Sequence, residues 1–150
     1  MTPRLEDPVR AASPEVIKAM FALETALHAK LDHRLLHLVK LRASQINGCA
    51  FCIHMHATDA RKAGQSEMRL YMLNAWRESH LYTDRERAAL AWTEALTRLA
   101  ETGAPDADYA LLQARFTPTE QADLTLAIGA INVWNRLKVG FRSAHPDDAA

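Results

Sequence analysis

Two capping boxes constrain the fold of this 150-residue chain more than any other feature of its sequence. Thr83 is followed three residues later by Glu86, and Thr117 by Glu120, with Pro118 directly after the second threonine. In this pattern the threonine hydroxyl accepts a hydrogen bond from the backbone amide of the acid, whose carboxylate accepts one from the threonine amide. Apolar residues continue at helical spacing after both starts, and alternating runs bounded by hairpin turns are missing. The sequence therefore predicts an all-α protein.

Proline, glycine and polar caps predict the other helix boundaries. A capping serine precedes Pro14, and Gly64 offers the left-handed conformation that ends a helix. In chain order, the predicted helices begin near Ser13-Pro14, Asp32, Cys49, Ser66, Thr83, Pro105 and Thr117, and glycines end three of them at Asn47-Gly48, Gly64 and Gly103. The first helix is expected to turn four apolar residues inward, namely Ile17, Phe21, Ala22 and Leu27. We therefore predict a bundle of about six to seven helices.

The length and charge of the chain limit its possible functions. At 150 residues and 16.8 kDa it is most simply one domain, residues 1–150, which can fold without a disulfide or a metal. Eighteen basic and eighteen acidic residues cancel, which argues against binding to nucleic acid or to an anionic membrane. The mixed-charge start is unlike a secretion signal, and no apolar run is long enough to cross a bilayer. We expect a cytoplasmic protein.

The last predicted helix carries apolar residues on more than one face. One face has Leu124, Ile128 and Ile131, and further faces have Leu126, Val133 and Leu137. A helix that is apolar around most of its circumference is buried on more than one side. In a chain this short we expect subunit contacts in addition to an internal core. The alternative is a simple monomeric bundle.

The only two cysteines lie three residues apart and share a helix face with one histidine. Cys49, Cys52 and His56 have the spacing i, i+3 and i+7, so they project from the same face of a helix, whereas His54 points to nearly the opposite side. Because helical side chains lean toward the N-terminus, the imidazole of His56 leans toward the sulfur of Cys52. His56 is therefore the expected partner of the thiols, and His54 is not.

The position of this pair at the start of a helix favours thiolate chemistry. Free backbone amides and the helix dipole stabilise negative charge in the first turn, just after the Asn47-Gly48 break. A thiolate is the nucleophilic form of cysteine, and a neighbouring histidine can act as the base that generates it. The spacing indicates a nucleophile, a base and a second thiol able to close a disulfide, which suits a thiol peroxidase or a thiol–disulfide oxidoreductase.

The Cys-x-x-Cys pair is also found in other kinds of site. A structural zinc site uses four ligands, and only three candidates share this face. Covalent haem attachment needs histidine directly after the second cysteine, where Ile53 stands. A thioredoxin fold would place a strand before Cys49, and no convincing strand is present. Two inert buried thiols with a surface histidine remain an alternative on spacing alone.

A longer stretch resembles a known family. The segment LVKLRASQINGCAFCIHMHATDARKAG closely resembles the core of the AhpD-like alkylhydroperoxidases, in the carboxymuconolactone decarboxylase superfamily. The resemblance covers about residues 31–64 and resumes at TDRERAALAWTEALTRL and at AINVWNR, residues 130–136. It implies an all-helical fold with the cysteine helix in a cleft near subunit boundaries, assembled as homo-trimers or homo-hexamers.

The resemblance also implies a mechanism without metal, haem or flavin. In the family scheme Cys52 is deprotonated with help from His56, attacks the peroxide and becomes a sulfenic acid. Cys49 then condenses with it to form a disulfide, which an external dithiol must reduce. Some relatives use a lipoylated protein as that reductant, and a thioredoxin-like protein is another candidate.

The chain departs from the family pattern at two positions. Well-studied members carry a glutamate twelve residues before the first cysteine, where this chain has His37, and a histidine between the cysteines, where it has Phe51. His37 is a candidate for the proton relay because its pKa lies near neutrality. The alternative is a solvated histidine beside Lys40 on the outer face of its helix.

The remaining polar and aromatic motifs are expected to be structural. Two roles are open to the polar residues Asn132, Asn135 and Arg136, which either line the cleft or tie helices and subunits together. We expect them to tie helices and subunits together. The three tryptophans, Trp76, Trp92 and Trp134, are predicted core or interface residues.

Three functions are therefore consistent with the sequence. The first is a thiol peroxidase that uses Cys52, Cys49 and His56. The second is a decarboxylase of cyclic muconolactones, which needs acid–base groups and no dithiol. The third is a redox-responsive oligomeric module that has no enzymatic activity.

Overall fold

Helices form where the caps predicted them. The computed structural model describes residues 2–146, and its elements are α1 (Pro8–Ala11), α2 (Pro14–Lys30), α3 (His33–Ile46), α4 (Ala50–Lys62), α5 (Glu67–Tyr71), a 3-10 helix (Met72–Ala75), α6 (Asp84–Thr97), α7 (Leu99–Thr102), α8 (Asp106–Gln113) and α9 (Pro118–Gly140). Both capping boxes are present, at Thr83 with Glu86 and at Thr117 with Glu120. No strand occurs among the described residues, so the all-α prediction is confirmed.

The helices are more numerous than the predicted six to seven. The described residues contain nine α-helices, of which α1 and α7 have only four residues each. The prediction of one helix from Thr83 to Gly103 is wrong, because the backbone of Arg98 leaves the helical region at φ −105° and ψ 37°. Gly103 instead ends α7 in the left-handed conformation, with φ 63°. The short α1 follows Asp7, whose carboxylate accepts from the amides of Val9 and Arg10.

Helix α3 is the central element of the bundle. It packs against α4, α6 and α9, and its residues from Leu35 to Ser44 are all buried. Because three helices surround α3, even its charged residues Lys40 and Arg42 lie inside the protein. Trp76 is buried in the core and Trp92 packs against a cluster around Leu35, as predicted for core tryptophans. Functional groups on α3 therefore act in an interior that excludes most water.

Helix α2 covers the bundle less completely than predicted. Leu27 is buried and Ile17 is half-buried, whereas Phe21 and Ala22 are exposed. The expectation that Phe21 and Ala22 lie in the core is wrong, since α2 packs mainly on α9 and presents one narrow face. The ring of Phe21 instead lies 5.6 Å from the ring of Trp134 at the edge of a cavity.

Helix α9 has one buried and one exposed apolar face. Leu124, Ile128 and Ile131 are buried, while Leu126 and Val133 are 53% and 49% exposed. The exposed pair matches the prediction that this helix is apolar on more than one side. Among the described helices, none has the length and apolarity needed to span a bilayer.

Candidate active site

The two cysteines lie where α3 turns into α4. Asn47 ends α3, and Gly48 adopts φ 63°, a left-handed conformation that suits glycine. The chain then enters α4 with Cys49 as its N-cap, and the Sγ of Cys49 accepts a hydrogen bond from the backbone amide of Cys52 at 3.4 Å. Both thiols are buried and unbridged. The sequence prediction of thiols in the first turn is confirmed, with Cys49 one position before the helix.

The two thiols share a proton. The pKa of Cys49 is lowered to about 7, chiefly because the Cys52 thiol donates a hydrogen bond to it; burial opposes this, while the Asn135 amide and the charge of Lys138 assist. The pKa of Cys52 is raised because its proton is held by Cys49, because it is buried, and because the neighbouring thiolate is negative. Near pH 7 the pair loses one proton, and the resting negative charge lies on Cys49.

Each thiol faces a different cavity. Cys52 lines a cavity of about 360 Å³ between α2, α3, α4 and α9, and its other lining residues are Val9, Phe21, Glu24, His28, His37, Lys40, Phe51, Met55, His56, Asp59, Trp134 and Lys138. Cys49 lines a second cavity of about 410 Å³ next to Gly48, Lys138 and Arg142. The first cavity combines apolar walls with histidines, as substrate pockets commonly do.

His56 lies on the wall of the first cavity as a neutral imidazole. It is 5% exposed, and neither of its ring nitrogens has a hydrogen-bond partner in the described part of the chain. Burial, followed by the positive charges of Lys40, His37 and His28, lowers the pKa of His56 to about 3. The structure brings His56 and Cys52 to the wall of one cavity without a direct hydrogen bond between them.

His37 lies beside His56 in the interior. The ring centroids of these two histidines are 6.0 Å apart, and Nδ1 of His37 is buried without a hydrogen-bond partner among the described residues. The alternative of a solvated His37 beside Lys40 on an outer face is wrong, because α3 is surrounded by other helices and both side chains are buried. Burial lowers the pKa of His37, so this imidazole is also mainly neutral at pH 7.

Several cavity residues were not found from the sequence. Glu24 pairs with the ammonium of Lys40 and accepts a hydrogen bond from the indole of Trp134 at 2.9 Å. Trp134 is thus a cavity residue in addition to a packing one. No short-range pattern connects Glu24 with residues on α3 and α9. Asp59, by contrast, follows His56 at the i, i+3 spacing of one helix face, and that signal was readable.

Asn135 joins the helix ends around the thiols. Its amide donates to the hydroxyl of Ser44 at 3.0 Å and accepts from the amide of Asn47 at 2.8 Å. Asn47 also donates to Asn132 at 3.0 Å, so the structural interpretation of Asn132 is confirmed. Arg136 donates to the carbonyl of Asn132 at 2.9 Å. Asn135 has a further role that the sequence did not reveal, since its amide lowers the pKa of both thiols.

A possible metal-ligand set lies in the same cavity. One ligand atom each of His37, His56 and Asp59 lie within 4.8 Å of one another. His54, as predicted, is on another side of α4, where its ring stacks on that of His145 at 5.4 Å.

Comparison with known proteins identifies relatives by sequence. The profile of the Carboxymuconolactone decarboxylase family matches residues 14–95. The uncharacterized protein YdfG of Bacillus subtilis is 39% identical over 130 residues, which are 86% of this chain and 88% of that protein. The uncharacterized protein YnjA of Escherichia coli is 33% identical over 76% of this chain and 60% of its own length.

Solved structures resemble the chain over nearly its full length. A protein of unknown function from Agrobacterium tumefaciens, described as a candidate antioxidant defence protein AhpD, is 50% identical with a TM-score of 0.92, over 98% of this chain and all of that one (100%). The debrominase Bmp8 is 17% identical with a TM-score of 0.83, over 95% of this chain and 78% of that one. At 17% identity the likeness to Bmp8 shows the fold alone. The fold is that of the AhpD-like proteins.

Proposed function

The chain belongs to the carboxymuconolactone decarboxylase family and has its AhpD-like fold, and on that premise we propose that it is a thiol-dependent peroxidase. The observation that carries the proposal is the pair of buried thiols at the start of α4, with Cys52 on the wall of a cavity that also contains His56. A peroxide in that cavity meets the sulfur of Cys52. The thiol that closes the disulfide is already within hydrogen-bond contact of it.

The shared proton supplies the chemistry of the first step. When a hydroperoxide ROOH approaches, the proton of Cys52 moves to Cys49, and the Cys52 thiolate attacks the terminal oxygen. The O–O bond breaks, Cys52 becomes a sulfenic acid, and RO⁻ leaves and takes the proton from Cys49 as ROH. The Cys49 thiolate then attacks the Cys52 sulfur and displaces hydroxide, which takes a proton from solvent and is released as water. The pair has lost two electrons and ends as a disulfide.

The histidines have an orienting role in this scheme. With a pKa of about 3, His56 does not hold a proton at rest. One of the two ring nitrogens of the neutral imidazole forms a hydrogen bond with the peroxide and aims its terminal oxygen at Cys52. His37, whose ring lies 6.0 Å from that of His56, is proposed to relay protons through water where relatives carry a glutamate.

The cavity walls favour an apolar substrate. Phe21, Phe51, Met55 and Trp134 all line the space in front of Cys52. Contact with these side chains would remove the carbon chain of a substrate from water, and its affinity would rise in proportion to the apolar area buried. We therefore propose organic hydroperoxides as better substrates than hydrogen peroxide.

Reduction of the disulfide is assigned to an external dithiol that reaches Cys49. The second cavity gives access from the side of Cys49, and Lys138 and Arg142 make that side basic. A lipoylated or thioredoxin-like protein supplies such a dithiol. Attack on the Cys49 sulfur leaves the reductant in a mixed disulfide, and its second thiol completes the exchange.

We also propose that the chain assembles into a homo-trimer or a homo-hexamer. Leu126 and Val133 lie seven residues apart on α9, and both are about half exposed. An apolar stripe of this kind is typical of a subunit interface. Light scattering coupled to size exclusion checks it: a mass of three or six chains supports the assembly, and a mass of one chain contradicts it.

Stopped-flow consumption of cumene hydroperoxide with dithiothreitol as reductant tests the proposed activity. We expect Cys52→Ser to slow the reaction at least about 100-fold, because the nucleophile is lost. His56→Asn should slow it about 10- to 100-fold, because an orienting hydrogen bond is lost. His80→Asn, at an exposed histidine, is the matched control and should react like the wild type.

The outcomes separate this function from the other two. A Cys52→Ser variant with wild-type turnover would refute the peroxidase assignment. Decarboxylation of a cyclic muconolactone that survives alkylation of both thiols would favour the decarboxylase. A disulfide that forms only stoichiometrically and changes the mass of the assembly would favour the redox-responsive module.

A further inference from the structure

A buried histidine pair and one carboxylate converge inside the cavity. His56 and Asp59 lie three residues apart on one face of α4, and His37 faces them from α3. One ligand atom from each of these side chains lies within 4.8 Å of the other two. From this arrangement we propose that His37, His56 and Asp59 form a binding site for one divalent first-row transition ion.

Each of the two histidines has one ring nitrogen available as a ligand. Both nitrogens of His56 and Nδ1 of His37 are buried and have no hydrogen-bond partner among the described residues. His56 is only 5% exposed, so solvent does not replace the missing partner at its surface. Because buried polar atoms are otherwise almost always paired, these nitrogens point to a bound species in the cavity, and each neutral imidazole offers it one lone pair. A metal ion accepts the lone pair of a neutral imidazole directly.

The ligand types suit a metal of the zinc or iron class. Imidazole binds Zn²⁺, Cu²⁺, Fe²⁺ and Ni²⁺, and two histidines with one carboxylate form a known triad that leaves coordination positions open. In a tetrahedral zinc site neighbouring N and O ligands are about 3.3 Å apart. The three side chains therefore close by at most about 1.5 Å, which small side-chain rotations achieve. The open positions face the 360 Å³ cavity.

The charges around the three side chains are of both signs, and Lys138 also lines the cavity. Asp59 contributes one negative charge, and the nearby ammonium of Lys40 is already paired with Glu24. The exposed ammonium of Lys62 lies 4.0 Å from one oxygen of Asp59 and can swing into solvent.

Zinc titration of metal-free protein tests the proposal independently of any activity. The Cys49→Ser/Cys52→Ser double variant is used as background, because it removes the thiolates as zinc ligands. After treatment with EDTA and its removal, isothermal titration with ZnCl₂ is expected to give one site per chain with micromolar affinity. His37→Ala and Asp59→Asn, added to this background, should each weaken binding at least about tenfold. His80→Ala, at an exposed histidine, should not change it.

A second measurement guards against misfolded variants and distinguishes the ligands. Cobalt(II) added to the double variant should give visible d–d absorption, which reports an ion held by protein ligands. Thermal melting of each variant without metal verifies that it is folded. Absence of zinc binding in the double variant overturns the proposal, as does unchanged affinity in folded His37→Ala and Asp59→Asn proteins. Either result leaves the proposed peroxidase function untouched.

Discussion

Two buried polar clusters on opposite sides of α3 differ in how well their atoms are paired. On one side the carboxylate of Glu94 accepts from Arg42 at 2.8 Å, from the indole of Trp76 at 2.9 Å and from Arg77 at 2.9 Å. On the other side neither ring nitrogen of His56 has a partner in the described residues. The first cluster is paired within the chain, and the second leaves ring nitrogens open to a bound molecule.

The pKa values express the same difference. Burial alone would raise the pKa of Glu94, but hydrogen bonds from Trp76, Arg42 and Arg77 outweigh it and lower the pKa. The pKa of His56 falls to about 3 because burial has no compensating hydrogen bond. The Glu94 cluster therefore holds the fold together as a charged group, and the His56 cavity keeps neutral, unpaired groups ready for a ligand.

The largest expected effect is on the paired cluster. Glu94→Ala should lower the free energy of unfolding by about 3 kcal/mol, because it leaves the buried guanidinium of Arg42 without its ionic partner. Urea denaturation measures this. The control is Glu67→Ala, which removes a half-exposed pair with Arg61 and should have a clearly smaller effect, because water screens that pair. Equal effects of the two substitutions would erase the contrast between the clusters.

Substitution in the unpaired cluster should change the free energy of unfolding at pH 7 much less than Glu94→Ala does. His56→Leu should leave the free energy of unfolding at pH 7 within about 1 kcal/mol of the wild type, because no hydrogen bond is lost. The folded pKa of about 3 lies below the unfolded value of 6.5, so the contribution of a neutral His56 is complete above pH 6.5 and is lost as the pH falls toward 3.

The acid limb is therefore the sensitive measurement for His56. The free energy of unfolding of the wild type, measured by urea denaturation in buffer with EDTA, should fall between pH 6 and pH 4. Up to about 1.4 kcal/mol per pH unit of that slope should be due to this histidine. His56→Leu should lack that part. A variant with the full wild-type slope would show that His56 is not buried as a neutral group.

A smaller effect is expected on the thiol titration. The pH dependence of alkylation by iodoacetamide should give a midpoint near 7 for Cys49 in the wild type. Cys52→Ala should move that midpoint to about 8.5, the ordinary value for a cysteine, because the hydrogen bond from Cys52 is lost. A midpoint that stays near 7 would assign the acidity of Cys49 to the helix start instead of to its neighbour.

The smallest effect is expected from the charge beside the cavity. Lys138→Gln should raise the midpoint of Cys49 by a few tenths of a pH unit, because the charge of Lys138 is the weakest of the named contributions and salt screens it. Lys62→Gln, at an exposed position of α4, is the control. A shift of a full unit would mean that electrostatics, and not the shared proton, controls this thiol.

Local patterns predicted more of this molecule than distant ones. Thr83 and Thr117 start helices because a cap needs only residues three positions apart. The same is true of Cys52 and His56, which reach one cavity through helical spacing, while Cys49 caps the helix from the position before it. Glu24 could not be found in this way, since its contacts to Lys40 and Trp134 join residues 16 and 110 positions apart.

The sequence patterns also did not predict which helix faces are buried. His37 and Lys40 look like the polar face of an amphipathic helix, yet both are buried because α3 is packed against α4, α6 and α9. Phe21 shows the reverse error, as an apolar residue that is 53% exposed at the cavity edge. Which face of a helix is covered depends on the whole bundle, and the hydrophobic periodicity of one helix does not fix it.

Mass spectrometry of protein treated with one equivalent of cumene hydroperoxide tests the central claim most directly. The account predicts a loss of two hydrogens in the wild type, with a peptide cross-linked between Cys49 and Cys52. In the Cys49→Ser variant it predicts a dimedone adduct on Cys52, the trapped sulfenic acid. Absence of the cross-link, or a sulfenic acid that forms on Cys49 in Cys52→Ser and never on Cys52, would contradict it.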